Sequence, residues 1–166
     1  MKIFWLLVLF ACFTGGRALH AQDKLEEPIH IDIPVKFEKA DVVFDLGHAV
    51  FVGDIPLGMR YMQMLSNRMK EIGATGNIIG VFYGEATYLV LSDPAYNAFR
   101  RVSTGNPYKE TIASLLKDSV QLEVCAVALK MHGWTNSNLL PGIKVNSGGI
   151  GRIIQLVQNG YVQIRP

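Results

Sequence analysis

The order in which apolar periodicity changes along the chain is its strongest constraint. Short β-rich runs at residues 41–46, 77–83, 121–126, 143–146 and 161–164 alternate with stretches of helical spacing. From 56 to 72, Leu57, Tyr61, Met64, Leu65 and Met69 recur at spacings of three and four, which predicts an amphipathic helix closed by Gly73 and Gly76. A short segment 86–91 stops at Ser92-Asp93-Pro94. Asn106-Pro107 places a proline in the first turn of a further helix whose core face is Ile112, Leu115, Leu116 and Val120. Residues 127–132 make a short helix ending at Gly133, and 151–159 make the last one, with Ile153, Ile154, Leu156 and Val157 inward and Gly160 closing it. Strands alternating with helices in this order predict βαβ units, and so an α/β fold with a mainly parallel sheet of about five strands between helices. No repeat period runs through the chain, which excludes a solenoid.

The first twenty-one residues stand apart. Met1-Lys2 is followed by an almost unbroken apolar run from Ile3 to Phe13, then by small residues that include Ala18 and Ala21. A positive start, a short apolar run and a small-residue exit predict a secretory signal peptide over 1–21, with cleavage after Ala21 or, as second choice, Ala18. The run is too short for the roughly 20 apolar residues of a membrane span. Cleavage at Cys12 as a lipoprotein is disfavoured by the bulky Phe10 and by the apolar run continuing past it. An exported chain is therefore expected, periplasmic if the source is Gram-negative. The full chain of 166 residues carries 16 basic and 14 acidic residues; with 1–21 gone, 145 residues remain, with 14 of each sign. Zero net charge gives no footprint for nucleic acid. Residues 22–40 hold Pro28 and Pro34 around an alternation from Ile29 to Ile33, the pattern of an exposed arm or an edge strand.

Removal of Cys12 leaves Cys125 as the only cysteine, unable to form an internal disulfide. It lies where the 121–126 strand gives way to a helix, the end of the sheet at which open α/β folds place ligand crevices. Helix N–H groups there favour a thiolate. The alternative is a thiol packed as a small apolar side chain. His48 follows the first strand, and Tyr83 and Glu85 follow the second, so a thiol, an imidazole and a carboxylate can share one sheet edge as nucleophile and base. His132, about 10 Å along a helix from Cys125, reads instead as a capping or surface residue. The segment Asn146-Ser147-Gly148-Gly149-Ile150-Gly151-Arg152 is glycine-rich between a strand and a helix. It matches neither the dinucleotide-binding nor the P-loop pattern, so a tight turn without ligand is favoured over an anion cradle. Arg100-Arg101 and Arg152 read as solvated charge. No spacing of His, Cys and carboxylates points to a metal, and no cofactor is expected.

The stretch from Asn106-Pro107 through 115–133, which contains Cys125, resembles the DsrE/DsrF-like family. So do Leu140-Pro141-Gly142-Ile143-Lys144-Val145, the run from Ile153 to Tyr161, and Val81-Phe82-Tyr83-Gly84-Glu85-Ala86. The likeness covers roughly 40–166, which makes 41–166 the family domain. It implies a three-layer α/β/α sandwich and a homo-oligomer, a trimer or hexamer. In sulfur-relay members a cysteine after this strand carries sulfur as a persulfide to a partner protein, and Cys125 stands at that position, with His48 and Glu85 as neighbours that adjust its protonation. Two features depart from those members: Ala128 stands where some carry a second cysteine, and the relay members work in the cytoplasm. The competing expectation is a non-catalytic module binding a small ligand or partner, with Cys125 structural. A third is a redox-sensing thiol that pairs between subunits.

Overall fold

The computed structural model describes residues 28–166. The expected signal peptide lies outside the described residues. Residues 28–34 are exposed coil in which His30 lies 3.4 Å from Asp32, and the Ile29–Ile33 alternation forms no edge strand.

In residues 35–166, five parallel strands make one sheet: β1 (Val42–Leu46), β4 (Ile78–Phe82), β5 (Gln121–Cys125), β6 (Lys144–Asn146) and β7 (Val162–Ile164). Their order is β6-β5-β4-β1-β7, with Val42 opposite Ile78 and Gly80 opposite Leu122. Strands β1 and β4 are buried along their whole length, as expected of a parallel sheet covered on both faces. Alternate residues divide between the two faces. Phe44, Phe82, Leu122 and Val124 pack under α1 (Leu57–Ile72), a 3-10 helix (Gly84–Val90), α3 (Lys109–Lys117) and α4 (Ala126–Met131). Val43, Ile79 and Val81 face the other way, onto Ile153 and Leu156 of α5 (Gly149–Gln158). The three layers are present, with α5 alone forming the second helical layer among the described residues. Because β5 alternates in the same way, Glu123 and Cys125 point toward α5.

Several local expectations change. The core face of α1 is Met59, Met62, Ser66 and Met69, while Tyr61 and Met64 are exposed. Met62 fills the space above Gly80, where a Cβ would lie 2.8 Å from its sulfur; that missing side chain draws the methionine row inward. Of the large apolar side chains of α5 only Ile153 and Leu156 are buried, and Ile154 and Val157 are exposed. Successive helical residues are turned by about 100°, so one flat sheet face takes only one stripe.

Helix α3 starts at Lys109, not at Pro107. Asn106 is instead a buried tie: its Nδ2 donates to the carbonyls of Leu89 and Leu91 at 2.9 and 2.7 Å, and its Oδ1 accepts from the Tyr108 N–H. A hairpin of β2 (Phe51–Val52) and β3 (Ile55–Pro56), helix α2 (Asp93–Arg100) and a short 3-10 helix (Asn136–Asn138) are elements that the sequence pattern did not reveal. No helix among the described residues is long and apolar enough to cross a membrane.

Candidate functional site

Cys125 is the last residue of β5 and the N-cap of α4, with extended backbone (φ −74°, ψ 121°). Its side chain is only 6% exposed, yet it borders a cavity of about 300 Å³. Three parts of the chain wall this cavity: Tyr83 and Gly84 after β4, Val127, Ala128 and Met131 of α4, and Gly148–Gly151 at the start of α5. The N–H groups of Gly149, Ile150 and Gly151 precede the first hydrogen bond of α5, which Arg152 donates to the Gly148 carbonyl, and no side chain caps them. Those N–H groups and the helix dipole make this wall electropositive.

The glycines of that wall are not a tight turn. Gly148 is extended at φ −174°, and neither Gly149 nor Gly151 has a positive φ. Gly149 is required by proximity, since a Cβ there would lie 2.8 Å from the Cβ of Tyr83. The Tyr83 ring is held at its other end as well. Its hydroxyl donates to Asp45 Oδ1 at 2.7 Å, Gln163 donates to Asp45 Oδ2 at 2.8 Å, and the ring covers Gly47.

Burial of Tyr83, and then its bond to the charged Asp45, push its pKa up to about 12, against a smaller opposing effect of Arg165. Burial, with Tyr96 and Tyr88 nearby, likewise takes Tyr108 to about 12. A raised folded-state pKa stabilises fully below the ordinary tyrosine value of about 10, and that contribution is lost as pH rises through about 12. Of the six tyrosines, Tyr83 and Tyr108 are therefore expected to give their phenolate absorbance last, together with alkaline unfolding. Tyr83→Phe should remove one of the two late transitions; six equivalent titrations near pH 10 would contradict the account.

A second polar cluster fixes the start of α5. Glu123, 3% exposed, accepts from Arg152 Nε at 2.9 and 3.1 Å, from Arg152 Nη2 at 2.9 Å, from Gln121 at 2.6 Å and from Asn146 at 3.1 Å. Arg152 is thus no solvated charge but the clamp between α5 and the interior strand β5. Burial raises the Glu123 pKa, but the hydrogen bonds from Arg152, Gln121 and Asn146 outweigh it and hold the carboxyl below its ordinary range.

His48 and Glu85 meet at the same sheet edge, His48 Nδ1 lying 3.4 Å from Glu85 Oε2, with both side chains exposed. Neither lines the cavity of Cys125; Glu85 lines its neighbour. His132 ends α4 and stacks on Trp134 at 4.3 Å between ring centres. No group of three or more His, Cys, Asp or Glu residues is placed to hold a metal among the described residues. The sequence reasoning left Asp45, Gly149, Glu123 and Arg152 without a role at the site. The alternation of β1 and β5 placed Asp45 and Glu123 on inward positions, and a carboxylate inside a buried parallel strand is a signal that it must have a partner.

A doubly covered parallel sheet with a cysteine ending an interior strand, facing a glycine-rich helix start, defines the class of fold. Residues 63–166 match the DsrE/DsrF-like family, and the chain belongs to it. No curated protein matches the chain. Among solved structures it is similar to the protein of unknown function MTH1491 from Methanobacterium thermoautotrophicum, at 20% identity and a TM-score of 0.57, over 78% of this chain and 100% of that one. It is also similar to the ychN protein from E. coli, at 12% identity and a TM-score of 0.56, over 76% of this chain and 99% of that one. At these identities the likeness concerns the fold.

Proposed function

We propose that Cys125 binds and transfers sulfane sulfur as a persulfide. The observation that carries this reading is that the Cys125 side chain and the uncapped first turn of α5 border one cavity. The thiolate attacks the terminal sulfur of a hydropolysulfide. The new Cys125 S–S bond forms as the donor's outer S–S bond breaks, and a polysulfide shorter by one sulfur leaves with the electron pair and takes up the proton of the transferred sulfur. The Cys125–S–S⁻ anion then lies against the N–H groups of Gly149–Gly151, which stabilise negative charge without a positively charged side chain. Family membership adds a precedent for sulfur relay. In this reading the chain is exported on residues 1–21 and acts as a homo-oligomer, passing sulfur to an acceptor protein.

The same burial that encloses the thiol favours a second reading, in which Cys125 is packed as an apolar side chain. Intact-mass measurement separates the two. Treatment of folded residues 22–166, whose only cysteine is Cys125, with inorganic polysulfide should add the mass of one sulfur atom per chain, removable by a reductant, and Cys125→Ala should add none. A thiol that resists both polysulfide and an alkylating agent in the folded protein refutes persulfide chemistry. The same spectrum of protein recovered from the cell envelope reads whether 1–21 has been removed and whether subunits are joined through a disulfide.

A further inference from the structure

Beside the thiol cavity lies a second one, of about 520 Å³, and the two share Gly84, Ala128 and Met131 as a common wall. Its lining is aromatic. Trp134 stacks on His132 and meets Phe99 edge-on at 5.2 Å, and Phe99 packs against Tyr88 at 5.7 Å. One cation faces it: Arg100, whose guanidinium lies 5.1 Å above the Tyr88 ring. No hydrogen bond or ion pair to Arg100 is present among the described residues, so its N–H fork is free. The other charged group of the lining, Glu85, is already engaged by His48. Met131, at the divide between the cavities, is 82% exposed, a flexible side chain that can move aside.

An inorganic polysulfide needs the smaller cavity alone. An additional aromatic cavity of a size that takes small organic molecules, with one unpaired cation, would be surplus to it. We propose that the second cavity selects the sulfur donor, a low-molecular-weight organic persulfide with an aromatic or flat apolar body and a carboxylate that pairs with Arg100. This inference rests on the persulfide reading above and names its substrate class. The donor's body lies between Phe99 and Trp134, its carboxylate meets Arg100, and its S–SH end passes Met131 to Cys125. The thiolate sulfur of Cys125 attacks the outer sulfur of R–S–SH. The Cys125 S–S bond forms as the donor's S–S bond breaks, the proton stays on the transferred sulfur, and R–S⁻ leaves with the electron pair. Sulfur moves at constant oxidation state, so no further reductant or oxidant enters.

Aromatic disulfides report this selection because they react with a thiolate by the same displacement and release a coloured thiolate. Reaction of residues 22–166, in which Cys125 is the only thiol, with dithiobis(nitrobenzoate), which carries carboxylates, should saturate with reagent concentration, whereas neutral dithiodipyridine should react without saturation. Arg100→Gln, at an exposed position, should slow the charged reagent roughly five- to tenfold, the worth of one partly exposed charge-assisted pair, and leave the neutral one nearly unchanged. Trp134→Leu should weaken both. The charged-to-neutral preference staying the same in Arg100→Gln, while polysulfide still loads Cys125, overturns the donor site and leaves the persulfide reading standing. Failure of polysulfide loading as well removes both. Saturation gained only after a Phe99→Glu change that splits an oligomer would assign the cavity to subunit contact and overturn the donor site too.

Discussion

Arg152→Ala is expected to destabilise the protein by about 3 kcal/mol at neutral pH, because it leaves a buried carboxylate without its cation. Glu123 would keep Gln121 and Asn146 as donors but lose all three bonds from Arg152. The pH dependence gives the distinctive signature. In the native protein the Glu123 carboxyl titrates below its ordinary value of 4.5, so its contribution is complete above that value and is lost as pH falls below it. Without Arg152, burial acts unopposed by the guanidinium and favours the neutral acid, so the deficit of the variant should shrink on acidification. Glu123→Gln in the Arg152→Ala background should recover part of the loss at neutral pH, since the amide removes the stranded charge. Urea unfolding of the wild type, the Arg152→Ala variant and the double variant at several pH values reads this. A deficit constant with pH, or no recovery in the double variant, would show that the pair does not anchor α5.

Gly149→Ala is expected to destabilise the protein by about 1–3 kcal/mol, the usual cost of overpacking, although alanine favours a helix over glycine by up to about 1 kcal/mol. The added Cβ would stand 2.8 Å from Tyr83 Cβ and 3.0 Å from its Cγ, near the base of the side chain, where rotation of the ring gives no relief. The ring cannot swing away, because its hydroxyl is tied to Asp45 and its edge lies on Gly47. The start of α5 must therefore move off the sheet, carrying its N–H groups away from Cys125, and polysulfide loading should fall with stability. Gly151→Ala is the control. A Cβ there meets nothing within 4 Å, so this change should be neutral or slightly stabilising. Equal effects of the two substitutions would remove the Tyr83–Gly149 contact as the determinant of the cavity.

Much of the sheet was legible because its signal is local. The run around Val81 is apolar on both faces and those around Val43 and Val124 are apolar on at least one, and glycine marks the end of α1, where Gly73 takes the left-handed backbone at φ 69°. The hairpin 51–56 escaped because two-residue strands carry no period. Helix 93–100 escaped because Asp93-Pro94 reads as a stop when it is the first turn of a new helix. The inward stripe of α1 was misread because size-blind periodicity admits two apolar stripes, and the absent side chain of Gly80 chooses between them.

The site divided along the same line. That Cys125 ends a strand and opens a helix follows from neighbours in the chain, and so does the placement of His48 and Glu85 after the first two strands. Its surroundings do not. Arg152 looks solvated until α5 crosses back over the sheet and sets it on Glu123, twenty-nine residues earlier. Gly149 looks like a turn residue until Tyr83 occupies the space of its side chain. By itself the sequence determined the α/β class, the parallel order of strands and helices, and the Cys125 thiol at a strand end, because periodicity and chain breaks act over a few residues. Only the tertiary structure decided what faces that thiol, because the α5 crossover joins residues whose contact is set by packing across the sheet and leaves no local pattern.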